Sequence, residues 1–126
     1  MKGTTRAQNT KAVKTLHSHG IRAKAFLIVG LPGETRNTVC DTADWIEEAG
    51  PDDIDISIFQ PLPGSRIFAD PKAWDIEFTY NGKAQWYKGT PGQYVSNVST
   101  KELSADAIVA YRDILEQAYK RKELLA

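Results

Sequence analysis

Polar and apolar positions alternate along this chain with two different periods, and the changes of period mark its elements. Thr5 with Gln8 three residues on forms the signature of a helix start. Ala12, Val13 and Leu16 then recur at helical spacing, and Gly20 reads as the stop. The stretch Ile21 to Val29 changes character. Its "AFLIV" core is apolar without alternation, the pattern of a strand buried on both faces of a parallel sheet. A second helix is expected from Thr35–Asn37, with Val39, Ala43 and Ile46 as its buried stripe and Gly50 as its end. Pro51-Asp52-Asp53 is turn chemistry. In "IDISIF", Ile54 to Phe59, Ile54, Ile56 and Ile58 alternate with Asp55 and Ser57, which predicts a strand with one more polar face.

Beyond Phe68 the periodicity weakens. "IEFTY" and "KAQWY" flank Asn81-Gly82, the favoured pair of a type I′ turn, and predict a small hairpin. Thr90-Pro91-Gly92 marks a further turn. From Ser104 the chain reads as one long helix with Ile108, Tyr111, Leu115 and Ala118 on its apolar face.

The order helix, strand, helix, strand predicts two parallel strands joined by a right-handed crossover. Both are followed by the same punctuation, Leu31-Pro32-Gly33 and Leu62-Pro63-Gly64, 31 residues apart. That distance suits one strand-helix-strand unit. The two loops then share the carboxyl edge of the strands, where α/β sheets and barrels bind ligands.

Composition narrows the classes. The chain has 126 residues, 41% hydrophobic and 25% charged, as expected of one globular domain. Sixteen basic residues balance sixteen acidic ones, which argues against nucleic acid as the main partner. No apolar run has the roughly 18 residues of a membrane span, and "MKGTTRAQNT" lacks the apolar core of a signal peptide, so a cytoplasmic location is expected. Cys40 is the single cysteine. One thiolate cannot hold an iron-sulfur cluster or a cysteine-rich zinc site.

In "GLPGET", Gly30 and Gly33 leave room for a ligand to approach the backbone, Pro32 stiffens the turn, and Glu34 and Thr35 stand where a helix begins. A tight turn with an ordinary helix cap explains the same residues. The loop is not a phosphate-binding P-loop, because the Gly-Lys-Ser/Thr ending is missing. For "QPLPGS" a rigid turn with Gln60 satisfying nearby backbone is the plain alternative; the repetition on one edge favours a shared site.

"KAFLIVGLPGET", followed one unit later by "DISIFQPLPGS", resembles the second half of a radical S-adenosylmethionine (SAM) enzyme barrel. It is similar to the subgroup with cobalamin-dependent and coproporphyrinogen oxidase-like members. "KGTTRAQNTKAVKTLHSHGI" resembles the helix before the glycine-rich strand, and "STKELSADAIVAYRDILEQAYKR" the helix after the barrel. The resemblance implies an α/β fold, a partial (β/α) TIM-like half-barrel of parallel strands with a small hairpin and a long C-terminal helix. Residues 1–68 would be the βα units, 69–100 an irregular insert and 101–126 the terminal helix. It nominates Ile28, Gly30, Leu31 and Gly33 as contacts for the adenine of SAM. Phe59, Gln60 and Pro61 would close the same pocket, and Glu34 would orient the loop through backbone bonds. The implied cofactors of the parent are SAM and a [4Fe-4S] cluster, with cobalamin left open. The family's CxxxCxxC cluster motif is absent, and the chain is about half the size of a barrel. The expectation is therefore a catalytically inert C-terminal fragment whose partner is the missing N-terminal half, with self-association through its strand edges. The substrate stays unnamed.

The remaining polar residues have plainer readings. His17 and His19 near a helix end are expected to interact with the helix dipole or with solvent, not with metal. Cys40 is expected to pack or be partly exposed. Asp52 and Asp53 belong to a turn, and Asp55 falls on the face opposite Ile54 and Ile56. Lys120-Arg121-Lys122 complements a helix C-terminus, and Trp86 and Tyr87 pack a hairpin. The competing function is a non-catalytic α/β module binding another small ligand or a protein.

Overall fold

The computed structural model describes residues 3–80 and 93–125. Helix α1 (Arg6–Ser18) leads to strand β1 (Lys24–Val29), helix α2 (Arg36–Ala49) and strand β2 (Asp53–Ile58). Short helix α3 (Arg66–Ala69) and a 3-10 turn (Pro71–Trp74) precede strand β3 (Ile76–Phe78). Strand β4 (Val98–Thr100) and the long helix α4 (Ala105–Leu125) complete the chain.

β1 and β2 are parallel, with Phe26 opposite Asp55 and Ile28 opposite Ser57. The expected crossover is therefore present. β3 and β4 form a separate antiparallel pair. The anticipated Asn81-Gly82 turn and its second strand lie outside the described residues. The architecture is α/β, with one parallel pair, one antiparallel pair and a C-terminal helix.

The caps form as the sequence suggests. Thr5 and Gln8 make a reciprocal capping box on α1, and Thr35 with Thr38 makes one on α2. Gly50 ends α2 in the left-handed conformation, where glycine has no Cβ penalty. The Ser104 hydroxyl accepts from the Ala107 N–H at the start of α4.

The core lies on one side of the parallel sheet. Val29, Ile56 and Ile58 pack there against Val39 of α2 and Ile108 and Leu115 of α4. Val13 of α1 joins Ala23, Ala49 and Trp45 in a smaller cluster. The other side of the sheet is uncovered among the described residues. Phe26 is 75% exposed and Ile28 51% exposed there, which corrects the expectation that "AFLIV" is buried on both faces. An unbroken apolar run reports that both faces avoid charge, and it does not require that this chain supplies both covers. Two helical expectations also change. Ala12, Leu16 and Ala118 lie on the surface, and α1 touches mainly α2.

Arg112 was not anticipated. It is 2% exposed in the middle of the apolar face of α4. Its Nε donates to the Ile56 carbonyl at 3.1 Å, and its guanidinium lies 3.7 Å from the centre of the Tyr94 ring. Asp113 at 2.9 Å and Glu116 balance the charge. Burial raises the affinity of the Glu116 carboxyl for its proton, but hydrogen bonds from Lys120 and Arg112 and their charges outweigh this and hold it below the ordinary value.

His17 also has a partner that its place at a helix end did not reveal. Its Nε2 lies 2.7 Å from Asp52 Oδ2, and the same oxygen accepts the Ala23 N–H at 2.7 Å. The bond from Ala23, then that from His17, hold the Asp52 carboxyl below the usual carboxylate range. A depressed folded-state pKa contributes stability that is fully present above the unfolded value of about 3.9 and is lost as pH falls through the folded value. Asp52→Asn should thus lower Tm at pH 7, and the gap to the unsubstituted chain should narrow as pH falls below the unfolded value and through the depressed folded one. Thermal melts across that range check this; a gap that widens in acid would contradict it.

Candidate functional site at the strand ends

The two Leu-Pro-Gly steps build the same local structure. The Glu34 N–H donates to the Leu31 carbonyl at 3.0 Å, and the Ser65 N–H to the Leu62 carbonyl at 3.1 Å. Gly33 and Gly64 have φ of 88° and 91°. Proline at the second position and a positive-φ glycine at the third define a type II turn. Each turn feeds a helix cap: Thr35 for α2, and Ser65, which accepts the Phe68 N–H at 3.2 Å, for α3.

Because β1 and β2 are parallel, both turns sit at the same end of the sheet. The Phe59 N–H donates to the Val29 carbonyl at 2.8 Å and holds the two exits side by side. Glu34 folds back over the first loop. Its Oε1 accepts the Gly30 N–H at 2.7 Å and its Oε2 accepts the Thr38 hydroxyl at 3.3 Å. The carboxylate thus ties the Gly30 backbone to Thr38 of α2.

The eight nominated residues occupy different environments. Ile28 projects from the uncovered face and Leu31 is exposed above it. Gly33 is open, with nothing within 4 Å of where a side chain would start. Gly30 is buried, and a Cβ there would lie 2.9 Å from Ile108 Cγ2. Close packing of α4 by itself therefore requires this glycine, and only backbone is on offer to a ligand there. Phe59 is half-buried and Pro61 buried. Gln60 accepts from Asn97 Nδ2 at 2.9 Å and donates to the Val95 carbonyl at 3.4 Å. It ties the second loop to the segment before β4, a contact that sequence separation hid.

The uncovered face leads up to these loops. It carries Phe26 and Ile28 from β1, and Asp55 and Ser57 from β2. Lys24 and Asp53 pair at its lower end, 3.4 Å apart. The arrangement offers an apolar ledge for a flat ring, open backbone at Gly33 and a carboxylate further along.

Cys40 is exposed on α2, and among the described residues no three His, Cys, Asp or Glu side chains converge on a point. Among the described residues no helix is long and apolar enough to cross a membrane.

Three proteins of known name are similar to this chain. An uncharacterized methyltransferase of Pyrococcus horikoshii is 34% identical over 106 residues, 82% of this chain and 22% of that protein. A methylthiotransferase by name, from Methanocaldococcus jannaschii, is 35% identical over 66 residues, 52% of this chain and 15% of the relative. The anaerobic magnesium-protoporphyrin IX monomethyl ester cyclase of Rubrivivax gelatinosus is 35% identical over 69 residues, 55% of this chain and 12% of the cyclase. The chain spans less than a quarter of the length of each. No family model and no solved structure matches it.

Proposed function

We propose that this chain forms the SAM-binding, substrate-side portion of a radical SAM enzyme. The observation that carries this reading is the pair of identical type II turns at the carboxyl ends of adjacent parallel strands, above an uncovered face. The names of the three relatives agree with it in general. In the complete enzyme the strands would continue into a barrel, with the uncovered face turned to its interior.

Ile28 and Leu31 would bear on the adenine ring, with Phe59 beside them. The open backbone at Gly33 would let the ligand approach, while Glu34 holds the Gly30–Gly33 loop in place. Gln60 and Pro61 would set the position of the second wall. Bound SAM would supply a 5′-deoxyadenosyl group to the complete enzyme, whose [4Fe-4S] cluster would provide the reducing electron. The residues of this chain do not fit that cluster, since a single cysteine cannot provide three thiolates. Its ligands would come from other polypeptide, and this chain alone would be inert.

The test is an NMR titration with SAM. Without cluster anchorage, adenine stacking and a few backbone hydrogen bonds at roughly 0.5–1.5 kcal/mol each remain. Affinity near millimolar or weaker follows, about 4 kcal/mol in total. Shifts are expected at residues 28–34 and 58–64. Gly33→Val should abolish them and Cys40→Ala should leave them unchanged. Saturable shifts centred on residues 74–94, indifferent to Gly33→Val, would instead favour a module for another ligand.

A further inference from the structure

Asn97 is a polar side chain in the core, 1% exposed, just before β4. The segment that carries it is fastened on two sides. The Thr79 N–H donates to the Asn97 carbonyl at 2.9 Å, and the Thr79 hydroxyl to the Ser96 carbonyl at 3.1 Å. The Ser96 hydroxyl donates to the Val98 carbonyl at 2.7 Å. Tyr94 stacks on the Arg112 guanidinium, whose Nε holds the Ile56 carbonyl of β2. Asn97 then reaches Gln60, four residues beyond Ile56, at the exit of the same strand.

The hydrogen bonds at Gln60 have one possible polarity. A backbone carbonyl accepts and never donates, so the Val95 carbonyl takes an N–H of Gln60 Nε2. Oε1 of Gln60 is then the atom left for Asn97, and Asn97 Nδ2 donates to it at 2.9 Å. Turning the Gln60 amide over would set two acceptors against each other at Val95 and two donors at Asn97. One N–H of Gln60 Nε2 has no acceptor among the described residues. Gln60 is half-buried, so its amide is not sealed in the core as that of Asn97 is.

We infer that Asn97 is a positioning residue for the ligand: it holds Gln60 so that the second loop offers a hydrogen-bond donor, which takes an acceptor atom of the ligand. The inference rests on the proposed function and adds a polarity to its second wall. For SAM the acceptor is a ring nitrogen of adenine and not the exocyclic amine. Packing alone does not call for this pair, because two apolar side chains of the same shape fill such a space at nearly equal stability. What the amides add is a fixed direction of donor and acceptor.

The test follows the Gln60 side-chain amide by NMR while the full chain is titrated with SAM at pH 7. SAM should shift one of the two Gln60 amide protons along with residues 28–34 and 58–64. Asn97→Asp keeps the shape but presents only acceptors, so Gln60 turns its N–H groups inward and its carbonyl outward. SAM should then bind about tenfold more weakly, and the Gln60 shift should vanish. Protonating the introduced carboxyl restores a donor. Affinity should return in acid, starting above the ordinary aspartate range because burial favours the neutral form. The unsubstituted chain at the same pH values is the control, and a merely structural role predicts no such recovery. Asn97→Leu combined with Gln60→Met should keep the fold and lose the same affinity at every pH; it repeats the test should Asn97→Asp fail to fold. SAM that shifts residues 28–34 and 58–64 but not the Gln60 amide overturns this inference alone. So does undiminished binding in either variant, or a loss in folded Asn97→Asp that acid does not reverse. No shift at any of these residues in the unsubstituted chain overturns the proposed function together with it.

Discussion

Arg112→Ala should cost about 3–5 kcal/mol, the range for removing one partner of a buried charged pair. The guanidinium joins three parts of the chain. It caps the Ile56 carbonyl of β2, stacks on Tyr94 and answers Asp113 and Glu116 of its own helix. Truncation leaves the carbonyl unpaired in the core, exposes two carboxylates to each other, and empties the space beneath Tyr94. Lysine should restore little of this, because an ammonium cannot hold the carbonyl and both carboxylates while lying flat on a ring. Methionine should recover the packing part alone. Urea unfolding of the three variants orders them: methionine above lysine and alanine, all below the unsubstituted chain. A loss under about 1 kcal/mol for alanine would mean that the pairing does not outweigh its own desolvation.

Gly30→Val is the second large effect, expected at about 3 kcal/mol or more. Two causes add. A β-branched residue at φ 95° is strained, and its Cβ would start 2.9 Å from Ile108 Cγ2 and 3.1 Å from Cδ1. Tm should fall by roughly 10–15 °C. The causes separate by comparison with Gly33, which has a similar φ of 88° but open surroundings. Gly33→Ala should show the backbone strain alone, about 1–2 kcal/mol. Gly30→Ala should cost more, and Ile108→Ala should remove that excess in the double variant. Equal losses at the two glycines would show that α4 yields to the added methyl group.

Local chemistry explains why so much of the fold was legible. Thr5 with Gln8, Thr35 and Gly50 act within a few residues of themselves, and each does what its type dictates. The parallel pair followed from the 31-residue repeat, because a crossover helix needs about that length and two-residue hairpins do not. The Glu34 carboxylate bonds the Gly30 N–H, a target only four residues away. The partners that escaped notice are distant. Asp52 is 35 residues from His17, Gln60 is 37 from Asn97, and Arg112 is 56 from Ile56.

The sequence by itself determined the order α1, β1, α2, β2, the long terminal helix and the parallel direction of β1 and β2, products of short-range sterics and capping, whereas α3 and the pairing of β3 with Val98–Thr100 were not legible in it. The tertiary structure alone decided which face of "AFLIV" is covered, since an apolar strand satisfies a core on either side and only the packing of α2 and α4 selects one. It decided that Gly30 yields to Ile108, a clash between residues far apart in the chain. It also decided that Arg112 stops the sheet at the Ile56 carbonyl. A strand's pattern of side chains says nothing of what lies beside its backbone, because every residue carries the same N–H and C=O groups and only neighbours in space can fill them.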